Sequence, residues 1–168
     1  MTELDLVWSQ LLADAGTRAD ETGRKDVADY LRLRATNDAI RNAGVQWLYD
    51  TLIEIAAPAM AGHNPVSVQR EEPHKFVRGS STMVGSLLRI RRGVRCLTIE
   101  AGWVRTPGDG IMQKGALVYA RITHFGMTKA GGEMRLVHAE TLPQWLDETD
   151  GTVDSGELRC HFAVFLGA

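Results

Sequence analysis

The chain has 168 residues, 44% of them hydrophobic and 24% charged, which is enough to bury a core and is about the size of one domain. Its formal net charge of −2 hides a basic block between Arg70 and Arg95 that carries +5, flanked by residues that sum to −4 before it and −3 after it. Two cysteines exclude a disulfide scaffold, and no apolar run approaches the ~18 residues needed to cross a bilayer.

The N-terminus, MTELDLVWSQLLADAG, carries acids where a secretory signal would carry lysine or arginine, so we expect a cytoplasmic protein that does not enter a membrane. Apolar residues from Leu4 to Ala15 recur along one side of a helix, and Gly16 is a predicted stop. A second helix is predicted from about Lys25 to the neighbourhood of Pro58. It exceeds the ~8–20 residues usual for globular helices, so something long must pack against it.

The second helix has one broad apolar stripe, which is interrupted in its middle by Arg34, Asp38, Arg41 and Asn42. A further apolar row recurs every seven residues on a different side and consists of Leu33, Ile40 and Trp47. Two interpretations stay open. In the first, the helix kinks or breaks near Gly44 and the charged residues form solvated ion pairs. In the second, the further row contacts another subunit, with Arg34 and Asp38 fixing the register.

From Val66 onward, short runs rich in Val, Ile, Thr, Phe and Leu alternate with glycine and charged turns, a pattern typical of strands. We predict strands near 66–71, 75–79, 82–91, 94–104, 115–125, 133–139 and 157–166, with loops at 108–110 and 126–132. Short turns between consecutive strands imply an antiparallel meander. The predicted fold class is α+β: one domain, 1–168, in which a helical part (1–62) packs on a β-rich part (63–168) that forms a barrel or sandwich.

The most detailed local prediction is a hairpin turning at Arg92-Gly93, which would pair Arg91 with Val94, Arg89 with Cys96, and Leu87 with Thr98. The alternation of strand side chains then predicts a core face formed by Leu88, Ile90, Leu97, Ile99 and Ala101, together with Arg95. The opposite face would carry Leu87, Arg89, Arg91, Cys96, Thr98 and Glu100.

Four arginines, Arg89, Arg91, Arg92 and Arg95, lie at the tip of this hairpin, where their planar guanidinium groups could bind phosphates or nucleic acid. Phe76 is the only aromatic residue between Arg70 and Arg95, so stacking platforms for single strands are scarce. The alternative is structural, with the arginines protecting sheet edges from aggregation and pairing with the acidic helices.

An enzyme interpretation centres on Glu100, which lies close to Trp103 in sequence and would act as a general base, with His124 and Asp109 as its partners. The sequence does not bring these three residues together. An exposed cross-strand Glu100, a turn-forming Asp109 and a hydrogen-bonded His124 are the structural alternatives, which we favour.

Metal and cofactor sites are not predicted. The five histidines lack the HxH or HxxxH spacing of metal ligands, and the glycine loop at 126–132 lacks the Walker spacing of a phosphate-binding loop. Cys96 and Cys160 lie in apolar, strand-like runs and are expected to be buried free thiols. On a strand, Cys160 and His161 would point to opposite faces and could not form a dyad.

The sequence therefore favours binding over catalysis. We expect a non-catalytic protein that self-associates, or binds another protein, through Leu33, Ile40 and Trp47, because an apolar row beside the main stripe must contact either the sheet or a neighbour. A binder of anionic ligands or nucleic acid through the four arginines is the alternative, followed by an enzyme centred on Glu100 and His124.

Overall fold

The computed structural model describes residues 3–168, with side chains from Leu6 onward. Its three α helices are α1 (Glu3–Glu21), α2 (Lys25–Met60) and α3 (Ser155–Leu166). Its six strands are β1 (Ser67–Arg78), β2 (Ser81–Arg92), β3 (Arg95–Trp103), β4 (Ala116–His124), β5 (Gly132–Val137) and β6 (Gln144–Asp147). The α+β class is thereby confirmed. No helix in the described part of the chain is long and apolar enough to span a membrane.

Helix α1 extends beyond its predicted end, whereas α2 covers the range predicted for it. Helix α1 continues past Gly16, which is buried inside the helix, and the chain turns instead at Gly23, whose φ of +73° suits glycine. Helix α2 runs without interruption through Gly44 and Pro58 to Met60, so the predicted break near Gly44 is not found.

The strands form a single antiparallel sheet in the order β1-β2-β3-β4-β5-β6, as the predicted meander requires. The sheet is open, with β1 and β6 at its edges. The predicted strands 66–71 and 75–79 are one strand, β1, with a bulge between Glu71 and His74. Strand β6 was missed, and residues 157–166, predicted as a strand, form helix α3.

The hairpin between β2 and β3 turns at Gly93-Val94, one residue later than predicted, and pairs Arg91 with Cys96 and Arg89 with Thr98. Gly93 has a φ of +59°, as the first position of a type II′ turn requires. The pairing is shifted by two residues, which leaves each side chain on its predicted face. The predicted division of the hairpin into two faces is therefore confirmed.

One face of the sheet, here called the core face, packs against the second part of α2 and against α3. The Tyr49 hydroxyl donates to the carbonyl oxygen of Ser86 at 2.8 Å, and Trp145 Nε1 donates to that of Gly44 at 3.2 Å. Burial raises the pKa of Tyr49 to about 12, so its phenol stays protonated and able to donate. The other face is here called the outer face. There Phe76, Met83, Ala116 and Tyr119 form a second buried cluster.

The chain divides into two compact units, one ending at Ala43 and the other formed by Gly44–Ala168. The first unit is a helical hairpin of α1 and the beginning of α2, in which Leu12, Ala19 and Ala28 are buried. The second unit contains the rest of α2, the sheet and α3. The single domain expected from the sequence stays a prediction.

Candidate functional site

The four arginines of the β2–β3 hairpin are divided between the two faces of the sheet. On the core face, Arg92 Nη2 donates to the carbonyl oxygen of Leu166 at 2.7 Å, and Arg95 Nη1 donates to that of Phe165 at 3.1 Å. Cations at these positions satisfy carbonyls at the C-terminal end of α3 and suit the helix dipole. Arg89 and Arg91 lie on the outer face, so the four side chains do not form one cluster.

Glu100 lies on the outer face between two basic partners. Arg121, directly opposite on β4, donates to Glu100 Oε2 from Nη2 at 2.6 Å and from Nε at 3.0 Å. His74 Nε2 lies 2.8 Å from Glu100 Oε1. His74 pairs with Gly85 of β2, and the missing side chain there leaves room for the imidazole to reach across β2 to β3.

The other enzyme candidates are not brought to Glu100. His124 pairs with Leu97 and therefore lies on the core face, on the opposite side of the sheet. Asp109 sits in a 3₁₀ turn at Pro107–Asp109, where its Oδ2 accepts a hydrogen bond from Thr106 Oγ1 at 2.8 Å. The structure thus gives Glu100 a partner, His74, which the sequence analysis had not singled out.

Glu100, His74 and Arg121 connect strands β3, β1 and β4 through side-chain hydrogen bonds. Both carboxylate oxygens of Glu100 accept or share hydrogen bonds, and only 15% of its side chain is exposed. His74 uses Nε2 for Glu100 while its Nδ1 faces Glu71 Oε1 at 3.6 Å. Residues of β1 and β4 thus hold this carboxylate in place, and its role as a general base stays a prediction.

A different pair of histidines lies on the core face, between β4 and α3. His124 is buried, and its Nε2 lies 3.1 Å from His161 Nδ1, with the rings stacked at a centroid distance of 5.5 Å. Burial lowers the pKa of His124, and the neighbouring His161 lowers it further. Burial also lowers the pKa of His161, against the opposing effect of Glu157. Near neutral pH, two uncharged rings therefore share one hydrogen bond.

Beside this pair, α3 and strands β5 and β6 line a cavity of about 380 Å³ that is open to solvent, here called the α3 cavity. Its walls are formed by Ala130, Gly132, Glu133, Met134, Asp147, Val153, Glu157, Cys160, His161 and Val164. Cys160 and His161 both line it, because successive residues of a helix are about 100° apart rather than on opposite faces. The prediction that they point to opposite faces assumed a strand and is wrong, because both residues belong to helix α3. Cys160 is also exposed rather than buried, and Cys96 is only partly buried.

The apolar row of α2 is largely uncovered. Leu33 is 58% exposed, Trp47 is 41% exposed and Ile40 is partly buried. Two of the charged residues that interrupt the main stripe, Arg34 and Asp38, contact α1 within the hairpin unit. Trp8 Nε1 donates to Asp38 at 3.4 Å, and the Arg34 guanidinium lies 5.4 Å from the Trp8 ring.

Within the described residues, no three His, Cys, Asp or Glu side chains are grouped so that they could hold a metal ion. No protein-family model, no curated protein and no solved structure matches this chain.

Proposed function

We propose that this protein works by binding rather than by catalysis, and that it associates with a second copy of itself through its N-terminal helical hairpin. The observation that carries the proposal is a set of apolar side chains on both helices, each more than half exposed: Val7, Leu11, Tyr30 and Leu33. We call this set the hairpin surface. Exposed apolar patches mark interaction sites in soluble proteins, and these four side chains supply the apolar surface for such a site.

The energetics of the hairpin favour a partner. Two helices that pack only on each other bury one line of contacts, and here that line includes the small residues Ala19 and Ala28. Burying a large apolar side chain contributes about 1.5–3 kcal/mol. Covering the exposed halves of the hairpin surface would therefore contribute roughly 3–6 kcal/mol per copy, before the costs of association.

A second copy is the partner that the chemistry suits. Two helical hairpins placed side by side form a four-helix bundle, and a two-fold dimer brings the same surface from each copy together. Residues 1–43 carry eight acids and six bases, so two copies would meet with little net repulsion. The free thiols suit a reducing compartment, and we place the association in the cytoplasm as part of the same proposal.

Sedimentation velocity tests this proposal over a protein concentration of roughly 1–100 µM, a range that covers typical dimer affinities. We expect the wild type to dimerise and Leu33→Asp to weaken the dimer at least about tenfold, because a carboxylate would be buried in an apolar contact. Val94→Asp is the matched control, since Val94 is 87% exposed at the β2–β3 turn, outside the hairpin surface.

The proposal fails with a wild type that stays monomeric throughout this range. It fails equally with a Leu33→Asp protein that dimerises as well as the wild type and Val94→Asp. Circular dichroism of each variant checks that the helices are intact.

A further inference from the structure

We propose that the α3 cavity binds a small organic cation, namely an amine that carries an apolar group. At about 380 Å³ the cavity falls within the ~300–1,000 Å³ range of ligand sites in proteins. It combines an apolar wall with a few polar groups, which is the usual construction of such sites. It is also separate from the hairpin surface, so this proposal does not depend on self-association.

The charged side chains that line the cavity indicate whether its ligand is a cation or an anion. Three acids line the cavity, Glu133, Asp147 and Glu157, and none of its described lining residues is lysine or arginine. Arg78 pairs with Glu133 and Arg135 acts on Asp147, so the remaining negative charge of the lining is modest and favours a cation over an anion.

The acids are not equivalent, and their contacts single out one of them for the ligand. Glu133 Oε2 accepts a hydrogen bond from Arg78 Nε at 2.8 Å, so its charge is already shared. Asp147 Oδ1 accepts hydrogen bonds from the backbone amides of Thr149 and Gly151 at 2.7 and 2.8 Å. Glu157, exposed in the first turn of α3, is thus the carboxylate to which the ammonium group would bind.

The remaining walls suit the apolar part of an amine. Met134, Val153 and Val164 offer aliphatic surface. His161 contributes a ring whose Nδ1 is engaged by His124, which leaves Nε2 for a polar group of the ligand. An uncharged imidazole at this position does not repel a cation.

Three probes of similar shape and different charge test the inference: benzylamine, benzyl alcohol and benzoate. Each is titrated into the full chain at pH 7.5, and binding is followed by the ¹H–¹⁵N NMR shifts of residues lining the cavity. We expect benzylamine to bind roughly three- to tenfold more tightly than benzyl alcohol, because it adds one charge-assisted contact, and benzoate to bind most weakly.

Two variants locate the site. Glu157→Gln is expected to reduce benzylamine binding to the level of benzyl alcohol without changing the affinity for the alcohol. Glu140→Gln makes the same change of charge at an exposed residue outside the cavity and should leave both affinities unchanged. Val164→Phe fills the cavity and should weaken both probes.

Any of three results would overturn the inference: no shifts from any probe at millimolar concentration, benzoate binding as tightly as benzylamine, or Glu157→Gln leaving the preference for the amine intact. Because Glu157 is exposed, Glu157→Gln should fold normally. It therefore tests the inference even if Val164→Phe fails to fold.

Discussion

The contact between His124 and His161 joins strand β4 to helix α3 through two aromatic rings that are partly removed from water. In the neutral state, one ring nitrogen donates to the other across 3.1 Å. Protonation of both rings would remove the acceptor and place two positive charges at stacked rings 5.5 Å apart. This contact is therefore compatible with at most one added proton.

The stability of the protein should consequently fall in mild acid. Both histidines have a folded-state pKa below the ordinary 6.5. Their contribution is complete above that value. It is lost as the pH falls through the lowered pKa values, because the unfolded chain then binds more protons than the folded one. Urea unfolding at pH 7.5, 6.5 and 5.5 should show a steeper loss for the wild type than for His161→Gln.

His63→Gln, at an exposed position, is the control for this experiment and should keep the wild-type slope. Carboxylates that titrate over the same range are present in all three proteins, so only the difference in slope reports on the pair. Equal slopes for the wild type and His161→Gln would refute the explanation.

Glu100 and His124 were the reactive candidates in the sequence, but their actual partners could not be found there. The partners of Glu100 are His74 and Arg121, which are 26 and 21 residues away. His124 contacts His161, 37 residues away. Such contacts depend on strand register and on the placement of α3, and no local spacing in the chain encodes either.

Helix α3 shows how an element can be misread from its composition. Residues 157–166 are rich in apolar and aromatic side chains, which favours a strand, yet Leu158, Phe162 and Phe165 recur at helical spacing and are buried. The start was also encoded, by Asp154 three residues before Glu157. The end was encoded by Gly167, whose φ is +85°.

Removing the cap should weaken this helix measurably. The Asp154 side chain accepts hydrogen bonds from the backbone amides of Gly156 and Glu157 at 2.7 and 3.2 Å. Asp154→Ala leaves these amides without that acceptor and should lower the free energy of unfolding by about 1 kcal/mol. Ser155→Ala, at the next residue, should change it by less than about 0.5 kcal/mol. Chemical denaturation compares them, and equal effects would contradict the capping role.

The strands were predicted more successfully where their alternation was strong. In β2 and β3, the register error of two residues kept every side chain on its correct face, because strand side chains alternate with a period of two. Strand β6 was not predicted, because its four residues, Gln144–Asp147, are too few to show the alternation of apolar and polar side chains.

For the molecule as a whole, the two compact units differ in how much apolar surface they bury. The unit formed by Gly44–Ala168 has two buried clusters, one on each face of the sheet. The unit that ends at Ala43 buries few large side chains among its residues from Leu6 onward, and it exposes the hairpin surface. The α+β class and the antiparallel meander could be predicted, because helical and strand patterns follow one another in that order along the chain. That the sheet stays open could not be predicted, because closure depends on curvature and on contacts between distant strands.

Hydrogen exchange should report this difference. In a monomer, the amides of α1 are expected to exchange much faster than those of β2–β4, because few buried contacts oppose local opening. Raising the protein concentration from about 1 to 100 µM should slow exchange in α1 by dimerisation, and Leu33→Asp should abolish that dependence. If exchange in α1 of the wild type does not depend on protein concentration, dimerisation does not protect this helix and the prediction is wrong.

The bulge in β1 has a consequence for how copies of this protein can meet. A free edge strand normally presents a row of backbone donors and acceptors on which a foreign strand can grow. Here the row is broken between Glu71 and His74, Pro73 has no amide hydrogen to offer, and charged side chains flank the gap. Fibril-like stacking from this edge is thereby discouraged, which agrees with the proposal that copies of the chain meet through their helices.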